Sequence, residues 1–360
     1  MTQQLSHTIA ALRTVLCMQI VFLHMRITAL TPQDMDIQAY PAYYYLATFV
    51  TLLCRLAVPL FFMISGYLYF RTFILTRDCY VEKTKKRIRH LLQPIFIWTS
   101  IYLLLYLAAQ NTPHIESLFS GNNKLIADYN GWDVLDAYTG LFSGIPFAGQ
   151  YWFLRNLLIA CLVSPVFWYL FKYTRTAGIV ALGIFWYLQP VTQMNASVLN
   201  TLFFFSLGGY LGYLKSGLLF PPAVKKGIYI GAVVSLTATF FFSVHGSPAY
   251  IYMYNFYIVV GMAALYLLCF QWIKKGYGKR LVRLSYGSYF CFLLHQQLLM
   301  FLKRGIYKAV HPHDSLTLSI LYFVIPVFTI CICYGLYGLL KKKSPRVLEL
   351  LTGEYAEKTY

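Results

Sequence analysis

The sequence predicts an all-α polytopic membrane protein, and three observations carry that prediction. Apolar residues fill 59% of the 360 positions and charged residues only 12%, against about 45–50% and about 25% in soluble domains. Runs of about 20 apolar residues, the length that crosses a hydrocarbon core, recur from end to end. The basic residues collect in alternate connections, as the positive-inside rule requires of a multi-pass chain. The mean hydropathy of +0.57 agrees.

Ten candidate spans follow, at 8–26, 46–70, 91–109, 151–171, 177–193, 200–214, 227–244, 251–273, 285–302 and 316–340. The first opens on "MTQQLSHTIA", which lacks a basic n-region and a cleavage site, so it is expected to be retained. The second contains Pro59, expected to kink it, and Ser65–Gly66, expected to allow close helix packing. The third begins after the basic run 83–89. A polar turn at 172–176 divides the fourth span from the fifth, and the fifth and sixth are short. The ninth carries His295 and the tenth runs into Lys341–Lys343. The longest connection, 110–150, is too short for a soluble domain and is a candidate acceptor-contact loop, or a solvated connector. Residues 1–345 are therefore expected as one membrane-embedded domain, with 346–360 a short cytoplasmic tail.

The net charge of +18 could indicate nucleic acid, but its placement argues for topology instead. With the N-terminus in the cytoplasm, 22 of the 30 Lys and Arg fall on the cytoplasmic side and five on the other. The five are Arg26, Lys124, Lys303, Arg304 and Lys308. Both termini are thus expected in the cytoplasm. Seven of the eight cysteines lie in spans and Cys79 in a cytoplasmic loop, which supports no disulfide framework. The sequon at Asn195 sits in a short turn and is read as chance.

Three basic residues remain inside the spans: Arg13, Arg55 and Arg155. Each arginine near a helix centre costs about 2.5–3.5 kcal/mol on the insertion scale. All twelve acidic residues lie in loops or tails, so no span supplies a counter-charge. Backbone carbonyls at helix breaks could hold these cations. Alternatively they face a polar cavity and meet an anion that is not part of the protein, such as a phosphorylated or thioester-bearing ligand. His24 lies eleven positions after Arg13. On a helix that is about 20° past three full turns and ~16 Å of rise, so the two share a face. An imidazole with a pKa near 6.5 is suited to take a proton from a hydroxyl, which makes His24 a candidate general base. His295 is a second candidate, for catalysis or for lining the cavity.

These residues resemble the membrane-bound acyltransferase 3 family. Arg13 and His24 reproduce its R-x10-H pattern. "RLAVPLFFMISGYL" (55–68) is similar to its second-helix signature, and "KKRIRHLLQPIFIW" (85–98) to its basic entry to the third helix. "YWFLRNLLIACLVSPVF" (151–167) and "LSYGSYFCFLLHQ" (284–296) resemble its two later segments. The likeness runs from about residue 7 to 340. Many members carry a further extracytoplasmic hydrolase-like domain. Here transfer is expected to be completed in the membrane unit or by a separate partner.

The resemblance implies an acyl-CoA donor in the cytoplasm, with acetyl the default and succinyl the alternative, and no metal. It implies a hydroxyl acceptor on the far side, on a glycan or a lipid-linked sugar, and a bacterial inner membrane. Lys86, Arg87 and Arg89, with Arg13, are the candidate coenzyme A contacts. The family's R-x-x-R is represented here by K-x-x-R at Lys86 and Arg89, so their individual shares stay open. The cluster could equally set topology or bind anionic lipid. His24 would deprotonate the acceptor, or form an acyl-histidine. Arg55 would stabilise the oxyanion and Arg13 orient the donor, along a polar passage through the bundle. Tyr151, Trp152, Arg155 and His295 are acceptor-side candidates, Tyr151 and Trp152 being alternatively anchors at the outer interface. A transporter or flippase of lipid-linked saccharides is the competing class. No nucleic-acid partner is expected.

Overall fold

The computed structural model describes residues 2–25, 40–112, 124–189, 195–216 and 221–354. Arg26, Asp34, Asp36, Glu116 and Glu357, the first part of the 110–150 loop and the end of the 177–193 span lie outside the described residues. Among the described residues every regular element is helical. In order these are α1 (Gln3–Leu23), α2 (Pro41–Cys54), α3 (Ala57–Phe70), α4 (Arg77–Arg87), α5 (Gln93–Gln110), α6 (Gly131–Thr139), α7 (Trp152–Leu162) and α8 (Ser164–Tyr187). Then follow α9 (Ala196–Tyr213), α10 (Pro222–Val244), α11 (Tyr250–Lys274), α12 (Lys279–Val310), α13 (Ser315–Lys343) and α14 (Pro345–Thr352). The protein is an all-α polytopic membrane protein.

Six helical stretches among the described residues are long and apolar enough to cross a membrane. They are α1, α2 with α3, α4 with α5, α10 from Val224 onward, α11 and α13. The α7–α8 pair qualifies as a bent seventh. The expected spans in α9 and α12 do not qualify. α9 is diluted by Gly, Ser and Asn, and α12 by a basic start and a polar His295–Gln296–Gln297 interior. α12 also runs further than expected: Lys303, sorted above to an outer loop, lies within it and is only 1% exposed.

Prolines place the breaks. A proline has no N–H to give the residue four before it, and its ring crowds that carbonyl. Pro59 therefore frees Arg55, and the span expected at 46–70 interrupts at Arg55–Leu56 between α2 and α3. Gln19 Nε2 on α1 reaches across to the nearby Leu53 carbonyl at 3.1 Å. Pro165 likewise frees the Cys161 carbonyl, and the chain bends by 60° at Val163 between α7 and α8. Tyr69 and Tyr80 hydroxyls donate to the Cys161 and Leu162 carbonyls at 3.4 and 2.9 Å. The turn expected at 172–176 is a second break inside α8, where Arg175 takes φ 52°. Asn195 of the sequon caps α9, its side-chain oxygen accepting from Ser197 N at 2.9 Å.

The core is aromatic and closely approached. Phe62, Phe70, Phe153, Phe171, Phe204 and Phe205 are buried in one cluster, with the Phe62 and Phe153 rings 4.5 Å apart. Pairs of this kind contribute about 0.5–1.5 kcal/mol beyond area burial. α3 and α9 meet backbone to backbone through small residues, the way apolar helices associate in lipid. A Cβ on Gly66 would overlap the Phe205 carbonyl, and one on Gly208 the Met63 carbonyl. Ser65–Gly66 is thus a packing element. Gly208→Ala should part these helices and cost at least ~1–3 kcal/mol. In detergent it should melt several degrees below wild type, whereas Gly227→Ala, with open space around it, should not.

Candidate active site

α1 and α12 run side by side and are tied by polar groups along their contact. Thr14 Oγ1 donates to the Leu281 carbonyl at 2.7 Å and lies 3.4 Å from Ser288 Oγ. Cys17 Sγ donates to the Ser288 carbonyl at 3.2 Å. The next contact up this seam is His24 against His295, ring centroids 5.2 Å apart. His295 is completely buried. Its Nδ1 lies 2.8 Å from the Phe292 carbonyl, a bond that requires the proton on Nδ1. Nε2 is then a lone-pair acceptor, and it is buried with no hydrogen-bond partner among the described residues. His24, the residue closing α1, is half-buried. Two imidazoles meet where the sequence placed one base and one lining residue.

Arg13 lies on the same face of the unbroken α1, ~16 Å along the axis from His24. It keeps exposed surface, yet Glu354 and Arg87 come within electrostatic range. Around it the basic cluster divides. Lys86 points outward to Glu82 at 2.5 Å, both exposed. Arg87 turns inward over the Tyr69 ring at 5.7 Å, beside Lys83 at 5.0 Å. Arg89 and His90 sit in a π-helical turn, Ile88–Leu92, that joins α4 to α5; such turns occur often at functional sites. The Tyr289 hydroxyl of α12 donates to the His90 carbonyl. An anion could be held by Arg13 and Arg87, with Lys83 close by.

The remaining candidates are placed elsewhere. Arg55 does not join the histidines: among the described residues its interactions run to Tyr254 and Tyr250 on α11, with the guanidinium 5.2 Å from the Tyr254 ring. Arg155 is held by backbone. It donates to the carbonyls of Thr139, Gly140 and Gly144 at 2.7, 3.0 and 3.3 Å, and to Asn156 Oδ1 at 3.2 Å. It thereby closes the open end of α6, where Gly140 is left-handed. Tyr151 stands at no outer interface. It is fully buried, and its hydroxyl donates to the Leu293 carbonyl at 2.8 Å. Trp152 is half-buried, its ring 6.2 Å from that of Phe62.

Sequence reasoning missed two features. Tyr102 and Gln150 also donate to the Leu293 carbonyl, at 3.0 and 3.2 Å, so three side chains brace α12 just before His295. No spacing marks such a convergence, because Tyr102 comes from α5 and Gln150 and Tyr151 from a turn well downstream, both meeting a third helix. The other is Glu354, whose helix announces itself in "PRVLELLTG" by Pro at the start and Gly at the stop. A small cavity of about 20 Å³ among Leu12, Leu60, Ile64 and Gly208 is apolar and includes neither Arg13 nor His24. Among the described residues no three His, Cys, Asp or Glu are grouped to hold a metal ion.

Residues 7–338 match the acyltransferase-3 family, described as an acyltransferase domain. The chain is similar to the succinoglycan biosynthesis protein ExoH of Rhizobium meliloti (strain 1021), 24% identical over 315 residues that make up 84% of this chain and 80% of that protein. No solved structure matches it. With the family match running across nearly the whole chain, the chain belongs to the acyltransferase-3 family and is an acyltransferase.

Proposed function

We propose that the protein is an O-acyltransferase with ten membrane spans and both termini in the cytoplasm. It moves an acyl group, acetyl or succinyl, from cytoplasmic acyl-CoA to a hydroxyl of an extracytoplasmic or lipid-linked glycan, in a bacterial inner membrane. The observation that carries this reading is the His24–His295 pair, 5.2 Å between ring centroids, at one end of the α1 face that presents Arg13. A relative named for succinoglycan biosynthesis supports a glycan acceptor.

In this mechanism His24 takes the proton of the acceptor hydroxyl as its oxygen attacks the thioester carbonyl. The C–S bond breaks, coenzyme A leaves as the thiol, and the proton it gains is the one His24 removed. His295 Nε2 accepts a hydrogen bond from His24 and stabilises the imidazolium that forms. At this ring separation, facing nitrogens can approach to about 3 Å. Arg13 and Arg87 hold the anionic end of the donor by charge-assisted bonds, and Tyr102, Gln150 and Tyr151 keep the His295 turn in place. Arg55 and Arg155, engaged by tyrosines and by backbone, serve the shape of the site.

Membranes containing the protein, supplied with labelled acetyl-CoA or succinyl-CoA and candidate glycans, should yield labelled glycan. Substrate crossing the bilayer without acquiring label would establish a transporter instead. His24→Ala should lower kcat by about 10²–10⁴-fold, the usual worth of general-base catalysis. His295→Gln should lower it on the order of tenfold, the worth of about one buried hydrogen bond. Arg87→Ala should raise the donor KM by about tenfold or more, as loss of one charge-assisted bond does. Lys86→Ala, which removes only a solvent-exposed pair, should leave that KM within about twofold.

A further inference from the structure

The C-terminal segment, expected as a short tail, is built into the donor side of the molecule. α14 packs on α5, α12 and α13. Two side chains of α5 bond its last turn: Gln93 Nε2 donates to the Leu350 carbonyl at 2.9 Å and Trp98 Nε1 to the Leu351 carbonyl at 3.0 Å. These are carbonyls that the end of a helix leaves open. Gly353 then turns left-handed, φ +66°, so close to the π-helical turn that a Cβ would overlap the Arg89 carbonyl. Only glycine combines that dihedral with that approach. Thr352 and Gly353 are buried.

This anchored turn delivers Glu354. Its carboxylate is within electrostatic range of Arg13 and of the Tyr289 hydroxyl, and Arg87 lies within range of the same two groups. Arg13 thus obtains from outside its helix the counter-charge that no span provides. Two neighbouring guanidinium groups with one carboxylate beside Arg13 still form a net positive cluster. A phosphomonoester carries about −1.5 to −2 charge at pH 7 and pairs with guanidinium through two parallel bonds, so it can displace a single carboxylate.

We propose that Glu354 is a resident anion of the donor site, which compensates Arg13, next to Arg87, until the phosphate esters of acyl-CoA replace it. This rests on the acyl-CoA reading above. The C-terminal helix is then a part of the donor site that sets its affinity. It keeps Arg13 compensated beside a like charge while the site is empty and yields it to an anion of higher charge.

The test is the affinity of the purified full chain for coenzyme A, in neutral-detergent micelles so that no lipid phosphate competes. Glu354→Gln and Glu354→Ala should each bind about three- to tenfold more tightly than wild type, the scale of one partly solvated charge. Equal or weaker binding by a neutral variant that keeps the wild-type melting temperature overturns the inference and leaves the donor reading standing. Failure of both variants to fold assigns Glu354 to stability and overturns it too. If wild type and folded variants alike bind no coenzyme A, the donor reading falls and takes the inference with it.

Discussion

Thr14 and Cys17 spend their polar hydrogens on α12, at the Leu281 and Ser288 carbonyls, and those bonds lock the register of two adjacent helices. In an apolar surrounding a hydroxyl or thiol left without an acceptor is costly, so sliding one helix along the other by a residue would break both bonds. The register so held sets His24 against His295. Three donors on the Leu293 carbonyl brace α12 from the opposite side. The meeting of His24 and His295, proposed above as the reacting end, therefore depends on packing further along the two helices.

The three arginines of the spans show three ways of lodging a cation among apolar helices. Arg155 saturates its donors on carbonyls at the end of α6. Arg55 sits at the break that Pro59 makes and rests on a tyrosine face, an arrangement worth about 0.5–2 kcal/mol. Arg13 keeps exposed surface, near a second guanidinium and one carboxylate. In the proposed mechanism the arginines held by backbone and by tyrosines shape the site, and Arg13 is the one that meets the donor. The same contrast separates Lys86, paired in solvent, from Arg87, turned inward.

How much was legible in advance follows from which contacts are local. The shared face of Arg13 and His24 needs only helical periodicity, and the packing role of Gly66 needs only the absence of a side chain, so both could be read from residue types and spacing. Pro59 announced a distortion, but the rule that it acts on the carbonyl four residues earlier moved the break to Arg55. Tyr151 looked like an interface anchor because aromatic residues favour that zone; it is buried because a carbonyl on a helix about 140 residues away accepts its hydroxyl. Glu354 was counted with a tail because nothing in its own neighbourhood reveals that α5 has side chains waiting for α14. Apolar length alone also hid how differently the helices are composed: among the described residues α9 and α12 carry small and polar residues that dilute their hydropathy.

The central claim is that one face of α1 leads an anionic donor from Arg13 to a histidine pair. Cryo-electron microscopy of the protein with bound coenzyme A tests it most directly. The account predicts density for phosphate groups beside Arg13 and Arg87, and a pantetheine arm directed along α1 toward His24 and His295. Coenzyme A bound away from α1, or His24 turned to lipid with His295 out of its reach, would contradict it.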